Sequence, residues 1–336
     1  MKLASTAGRV AVAGILLLAG CADDPGLTAE EAYQVAREAY YEAETPEEKA
    51  RIAEEYLASW PDSERAPGLA EALLYYRGEE LDDPEGAYRI VSEVLTHVED
   101  PERRFAIGMA LVPVAHEVGE PLDPASLAAE LAAYRPLTFT EHMDVVDAAE
   151  EIDAWRTARD HASDALGLAT PEAWRADYPE QEADAAEVAE RARKRRAAAL
   201  AHLGWAQHHL GETDEALATF ASAEAVTDTN YVGIPETPLG SYWGRALVDV
   251  GRPGEALEKL APDAVMGGDE DARAALRRAF EATRPDDDDF TEYLWSLRER
   301  FAPPVDEFTL TDYDGEQVSL SDFNGQVVML AFWFPT

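Results

Sequence analysis

Apolar residues recur at three- and four-residue steps along most of the chain, which is the spacing of an amphipathic helix. Leu69, Leu73 and Tyr76 show this spacing. Residues 28–301 are rich in Ala, Glu and Leu, and Pro and Gly fall mostly in short breaks such as the one at Pro61. The pattern predicts a succession of helices joined by tight turns, in a protein that is mainly α.

Two stretches of this helical region match each other at an offset of 40 residues. The matching positions are Gly204, Gly211, Ala216 and Phe220 in the first copy, and Gly244, Gly251, Ala256 and Leu260 in the second. Both copies resemble the tetratricopeptide pattern, in which small residues let two antiparallel helices approach and a large residue fills the gap. The resemblance implies a TPR-like helical-repeat solenoid over residues 28–301. Such solenoids bind a protein or peptide partner, and the alternative is a spacer that holds the C-terminal residues away from a membrane.

The apolar period changes from helical to two after Pro304. The alternating apolar positions are Phe308, Leu310, Val318 and Leu320. They flank Asp314-Gly315, a dipeptide that favours a type I′ turn, so residues 307–320 are predicted to form a β-hairpin. Residues 327–334 are almost uninterruptedly apolar, which is typical of a strand buried on both faces.

Three consecutive blocks near the C-terminal end resemble the opening of the redoxin family, which includes peroxiredoxins and membrane-anchored thioredoxin-like proteins of the TlpA type. The blocks are PVDEFTLTDYDG at 304–315, VSLSDFNG at 318–325 and VVMLAFW at 327–333. The resemblance implies a thioredoxin-like α/β domain, incomplete over residues 302–336. In the family this last strand leads into a cysteine-containing loop whose thiolate performs disulfide exchange or peroxide reduction.

The sequence stops at Thr336, where that loop would begin. We therefore expect a fragment of a longer protein, interrupted before the catalytic cysteines, or a strand that docks into another protein. No catalytic residue, cofactor site or metal ligand is predicted in the chain. The first hypothesis is a membrane-anchored thiol–disulfide oxidoreductase or peroxidase with an antioxidant role. The alternative is a non-enzymatic helical-repeat lipoprotein acting as a protein-binding scaffold.

The first 20 residues have the layout of a secretory signal, because Lys2 and Arg9 precede an apolar run that is too short to span a bilayer comfortably. The run ends in LAGC, which resembles the bacterial lipobox, whose cysteine is acylated and becomes the first mature residue. The alternative is an ordinary signal peptide with an incidental cysteine.

The lipobox resemblance implies a lipoprotein signal peptide over residues 1–20, lipid attachment at Cys21, and an anchor linker over residues 21–27. Cys21 is the one cysteine of the chain, so acylation would leave no free thiol. We expect a lipid-anchored protein of the cell envelope, on the periplasmic or extracytoplasmic side. The absence of Asp directly after Cys21 favours the outer membrane, by resemblance to known sorting.

The formal net charge is −40, and removal of residues 1–20 would make it −42 because Lys2 and Arg9 are lost. Such a surface disfavours nucleic acid and anionic lipid headgroups as partners. It also fits adaptation to a high-salt habitat, which would carry no information about partners. The basic run from Arg191 to Arg196 has acidic flanks, so it is interpreted as a solvated helix face.

Two further groups of residues were weighed as metal ligands. His202, His208 and His209 lie near one another on one predicted helix, and without a nearby carboxylate pattern they are interpreted as surface or capping groups. Asp286–Asp289 lacks the spaced ligands and turn glycine of a calcium loop, so it is interpreted as a solvated connector.

Overall fold

The computed structural model describes residues 27–229, 237–284, 289–301, 305–311, 314–326 and 328. The structure is 74% helical, with fifteen α-helices and one two-stranded antiparallel sheet among the described residues. The prediction of a mainly α protein is confirmed.

Helices follow one another without interruption by strands from Ala29 to Phe301 in the described part of the chain. The first seven are α1 (Ala29–Glu42), α2 (Pro46–Ser59), α3 (Ala66–Leu73), α4 (Pro84–His97), α5 (Pro101–Glu117), α6 (Pro124–Tyr134) and α7 (Phe139–Glu151). The next eight are α8 (Trp155–Leu168), α9 (Pro171–Asp177), α10 (Ala185–His209), α11 (Thr213–Glu224), α12 (Leu239–Asp249), α13 (Pro253–Pro262), α14 (Glu270–Thr283) and α15 (Phe290–Phe301). Two π-helical segments, Leu74–Glu80 and Asp263–Gly267, continue α3 and α13.

The starts of many helices share a local signature, an Asp or Thr followed by proline. The dipeptides are Thr45-Pro46, Asp83-Pro84, Asp100-Pro101, Asp123-Pro124 and Thr170-Pro171. Each Asp or Thr side chain accepts a hydrogen bond from a backbone N–H in the first turn. Proline is tolerated there because its missing N–H has no partner in the first turn anyway. These five prolines therefore each begin a helix, whereas Pro61 lies in the turn between α2 and α3.

Contacts between helices are local in the chain. The elements that pack extensively against each other are at most three positions apart in chain order. The main pairs of sequence neighbours include α5–α6, α7–α8, α10–α11, α12–α13 and α13–α14. A second set of contacts joins non-neighbouring helices in a series, in which every helix packs against the next one. We call this series the ladder, and its members are α3, α5, α7, α10, α12 and α14.

The two matching stretches of sequence occupy equivalent helical hairpins, α10–α11 and α12–α13. A Cβ atom built on Gly204 would lie 2.7 Å from the Phe220 ring, and one on Gly244 would lie 2.3 Å from Leu260 Cγ. Both large side chains are fully buried. The predicted packing of a large residue against glycine is therefore confirmed, whereas membership of the tetratricopeptide family stays a prediction.

The turn of each hairpin contains a glycine with a left-handed backbone, Gly211 at φ 80° and Gly251 at φ 76°. Side chains disfavour this conformation, so glycine ends the first helix of each hairpin. The α5–α6 hairpin repeats the arrangement with Gly119 at φ 76°, and a Cβ on Gly108 would lie 2.7 Å from Leu127. Its residue spacing differs from that of the two copies, which is why sequence comparison missed it.

The predicted β-hairpin is present as β1 (Thr309–Thr311) and β2 (Gln317–Ser319), paired antiparallel. Leu310 pairs with Val318, and Leu320 N–H donates to the carbonyl of Phe308. Thr311 pairs with Gln317, so Asp314 lies at the centre of the loop between the strands. The loop therefore contains an odd number of residues. The two-residue type I′ turn predicted at Asp314-Gly315 is therefore wrong, although Gly315 does adopt a positive φ of 84°.

Candidate functional site

A cleft with a volume of about 720 Å³ lies between α3 with its π-helical extension, α5 and the end of α7. Its rim carries five carboxylates: Glu71, Glu79, Asp82, Glu117 and Glu151. Its remaining walls include the apolar side chains of Leu74, Ala110, Pro113 and Val114. We call this site the acidic cleft.

Irregular backbone surrounds the acidic cleft. The Leu74–Glu80 segment is π-helical, and such segments are rare and frequently occur at functional sites. Asp82 has a positive φ of 53°, which non-glycine residues seldom adopt. Pro113 lies inside α5 and has no N–H to donate to the carbonyl of Met109. Together these features set the path of the chain around the cleft walls.

No described lysine or arginine lines the acidic cleft. Arg77 belongs to the π-helical segment but is engaged elsewhere, with Nη1 3.1 Å from Glu54 and Nε 2.8 Å from Asp83. His116 is the single described basic side chain in the lining. The carboxylates of the rim are thus not neutralised from within the cleft.

The pKa of Asp144 shows the effect of crowded carboxylates beside this cleft. Burial is the main cause of the rise, and repulsion from Asp147, Glu141 and Glu71 adds to it, so the pKa of Asp144 reaches about 6. Glu71 is itself on the rim of the acidic cleft. A cation bound at Glu71 would relieve the part of this repulsion that comes from Glu71.

A buried polar network joins three helices of the ladder next to the acidic cleft. Glu150 of α7 accepts a hydrogen bond from Tyr242 Oη of α12 at 2.8 Å, and its other oxygen lies 3.0 Å from His202 Nδ1 of α10. The side chains of Glu150 and His202 are each 11% exposed. One carboxylate therefore holds two buried polar groups from two other helices.

The network shifts the protonation equilibria of its members. Desolvation opposes the charged form of His202, but the hydrogen bond to Glu150 and the charges of Glu150 and Asp147 outweigh it, so the pKa of His202 is raised. Burial and the Glu150 carboxylate raise the pKa of Tyr242 far above its usual range. Tyr242 consequently stays protonated and remains a donor.

Aromatic and cationic groups extend the network along α10. The Trp205 ring stacks on Tyr242 with 4.8 Å between centroids, and the Arg245 guanidinium lies 4.6 Å from the Trp205 ring centroid. On the other side His209 stacks on Trp155 at 3.7 Å. These contacts fix the side chains of α8, α10 and α12 relative to one another.

The interpretation of the three histidines as surface or capping groups is wrong for His202. His202 is buried because its position in α10 faces α7, where Glu150 provides the partner that sequence spacing did not reveal. His208 Nε2 lies 3.2 Å from Asp249, and His209 is exposed. Among the described residues no three potential ligands come close enough together to hold a metal ion.

The interpretation of residues 191–196 as a solvated face is wrong for Arg195. Its side chain is 9% exposed, and Nη1 lies 2.7 Å from Asp177 of α9. Arg193 donates to the carbonyl of Val226 and to Asp228, and so binds the end of the α11 hairpin. Arg191 and Arg196 are exposed, as predicted.

Several predictions concern residues outside the described ranges. Lipid attachment at Cys21, the signal peptide and most of the linker lie there, as do residues 285–288 and nearly all of the predicted strand 327–334. Asp289 is described, and its side chain accepts from the N–H of Glu292 at the start of α15. Across the described helices, none combines the length and apolar character that crossing a bilayer requires.

Sequence reasoning did not find the acidic cleft. Its five carboxylates come from three separate segments, and in a chain with 68 acidic residues none of them stands out. The proline inside an otherwise helical pattern, Pro113, was the available signal. Comparison with models of known protein families gave no match, and comparison with curated proteins gave no significant match either.

Proposed function

We propose that the helical region is a binding scaffold that takes a cationic segment of a partner protein into the acidic cleft. The observation that carries this proposal is the combination of five rim carboxylates with an apolar floor and no described lysine or arginine in the lining. Lysine and arginine side chains suit such a cleft, because their charged ends pair with carboxylates while their methylene stems cover apolar surface.

Because the carboxylates are spread around the cleft, several cationic side chains of one peptide suit it better than a single metal ion does. No described set of ligands is close enough for a metal, whereas the cleft volume of about 720 Å³ accommodates several side chains. The neighbouring ladder helices are cross-linked by Glu150, His202 and Tyr242, so the α7 wall of the cleft is held in place before the partner arrives. A preformed wall lowers the entropic cost of binding.

The test measures how tightly the protein binds a short fluorescent peptide that contains several lysines and leucines. Fluorescence anisotropy at low ionic strength reports this binding. We expect the double variant Glu71→Gln/Glu117→Gln to bind roughly tenfold more weakly, since two partly exposed ion pairs are lost. Added salt should weaken binding to the wild-type chain as well.

The matched control is Glu172→Gln/Glu281→Gln, which removes the same charge from exposed positions away from the cleft. This variant should bind the peptide within about twofold of wild type, because only the general field of the protein changes. Equal weakening in the two double variants would show that the peptide responds to net charge and not to the acidic cleft. The same peptide with glutamine in place of lysine should not bind.

We also propose that residues 302–336 open a redoxin domain, so that the scaffold serves a thiol–disulfide oxidoreductase or peroxidase. The observation in its favour is the register of the hairpin, which places Phe308, Leu310, Val318 and Leu320 on one face. That face is only partly covered by the described residues: Leu310 is 59% exposed, and the other three side chains are half-buried. A one-sided apolar hairpin needs further structure packed on it, as the opening hairpin of an α/β domain does.

We further propose that an acylated Cys21 anchors the scaffold at the cell envelope. Cys21→Ser should move the protein out of the membrane fraction and abolish incorporation of labelled lipid, while the neighbouring Ala22→Ser change should leave both unchanged. The acylated 336-residue chain should reduce neither insulin disulfides nor peroxide, because its one cysteine is blocked. Lipid labelling that survives in Cys21→Ser would rule the anchor out.

A further inference from the structure

A second cleft has the opposite charge. It lies between the start of α7, the short helix α9 and the middle of α10, and its volume is about 460 Å³. Three aromatic and three cationic side chains line it: Phe139, Trp174, Tyr178, Arg191, Lys194 and Arg195. No described carboxylate is part of the lining, in a chain whose acidic residues outnumber the basic ones by 68 to 28. We call this site the basic cleft.

The innermost cation of the basic cleft is held rigidly. The Arg195 guanidinium lies 4.7 Å from the Phe139 ring centroid and 5.5 Å from that of Tyr178. Its Nη1 is 2.7 Å from Asp177, which balances its charge. Because a guanidinium stacked on rings is fixed in orientation, Arg195 forms a preorganised wall of the cleft.

The outer cations give the basic cleft its charge. Arg191 is exposed, and the Lys194 side chain is 40% exposed with its ammonium 3.6 Å from Glu190, which does not line the cleft. The remainder of the molecule is strongly negative and repels anions at long range. An anion is therefore retained here only through short-range contacts with these side chains.

The aromatic residues supply a flat apolar surface beside the cations. Trp174 is buried, and its ring lies 5.4 Å from that of Tyr178, which is 37% exposed. Tyr178 consequently presents part of its ring to the cleft. A planar group fits against it, since aromatic rings attract one another at such distances.

We propose that the basic cleft binds an organic carboxylate with a planar aromatic body. The carboxylate pairs with Arg191 and Lys194, and the ring packs on Tyr178. The cleft volume lies within the range of small-molecule sites. This site is separate from the acidic cleft and independent of the proposed binding of a cationic segment.

Isothermal titration calorimetry with 1-naphthoate tests the proposal, with acetate and naphthalene-1-methanol as the analogues that lack the ring or the charge. Naphthoate should bind at least tenfold more tightly than either analogue, since each lacks one of the two contacts. Acetate binding as tight as naphthoate binding would overturn the aromatic part of the proposal, and absence of naphthoate binding would overturn all of it.

Variants of the lining residues test whether naphthoate binds in the basic cleft. Arg191→Gln/Lys194→Gln should weaken naphthoate binding about tenfold or more, whereas Arg196→Gln/Arg273→Gln, which removes two exposed cations outside the cleft, should leave it unchanged. Tyr178→Ala should also weaken it, and Tyr134→Ala, at a tyrosine that is 66% exposed elsewhere, should not. Equal effects of the cleft and control variants would contradict the assignment.

Discussion

Replacement of Gly244 by valine is expected to destabilise the protein by about 3 kcal/mol, because overpacking of a filled core forces neighbouring groups to move. A Cβ at this position would lie 2.3 Å from Leu260 Cγ and 2.6 Å from Cδ2. Leu260 is fully buried, and its branching carbon is fixed by the surrounding core, so it is not free to rotate away. Chemical denaturation followed by circular dichroism measures the loss.

Two companion variants identify the cause of that loss. Gly254→Val makes the same change in α13, where a Cβ meets nothing within 4 Å, and should alter stability by no more than about 0.5 kcal/mol. Leu260→Ala opens the space that the valine needs. The double variant Gly244→Val/Leu260→Ala should therefore be about 1–3 kcal/mol more stable than expected from adding the stability losses of the two single variants. Strict additivity would show that the two helices do not depend on this contact.

Glu150→Ala is expected to cost about 3–5 kcal/mol, the usual cost of removing one partner from a buried polar pair. The change leaves His202 and Tyr242 without their shared acceptor in the interior. Asp147→Ala is the matched control, because Asp147 belongs to the same helix and lies 3.8 Å from His202, but its side chain is 64% exposed. Its removal should change stability by less than about 1 kcal/mol. Equal losses in the two variants would contradict the assigned role of Glu150.

The same network predicts a dependence on pH. Since the folded-state pKa of His202 is raised, its protonated form stabilises the fold below the unfolded value of about 6.5, and that contribution disappears as the pH rises through the raised pKa. Glu150→Gln removes the charge that causes the rise while keeping a hydrogen-bonding side chain. Melting temperatures measured across this pH window should therefore fall less with rising pH in Glu150→Gln than in wild type.

Local signals account for the parts of the fold that the sequence predicted correctly. Helical periodicity and the matched positions around Gly204 and Gly244 act within one helix or one hairpin, and both were visible in a short window of sequence. The β-hairpin was predicted for the same reason. Its loop was not, because the Asp314-Gly315 dipeptide is compatible with more than one loop length and the pairing of Leu310 with Val318 selected an odd one.

The features that the sequence did not predict depend on which helices pack against each other. His202 and Glu150 are 52 residues apart, and their pairing follows from the contact between α7 and α10. Arg195 differs from its exposed neighbour Arg196 because α9 covers one side of α10. The acidic cleft likewise needs several separate segments to come together. No periodicity in a single sequence specifies these juxtapositions.

The ladder has a consequence for how the chain folds. Because most contacts between helices join elements that are close together in the chain, the entropy lost in closing loops is small at most steps, and arrays of this kind reach the folded state quickly. Each hairpin is able to form as soon as its second helix has left the ribosome. Terminal hairpins have a neighbour on one side only, so we expect them to open at lower temperature than the central hairpins.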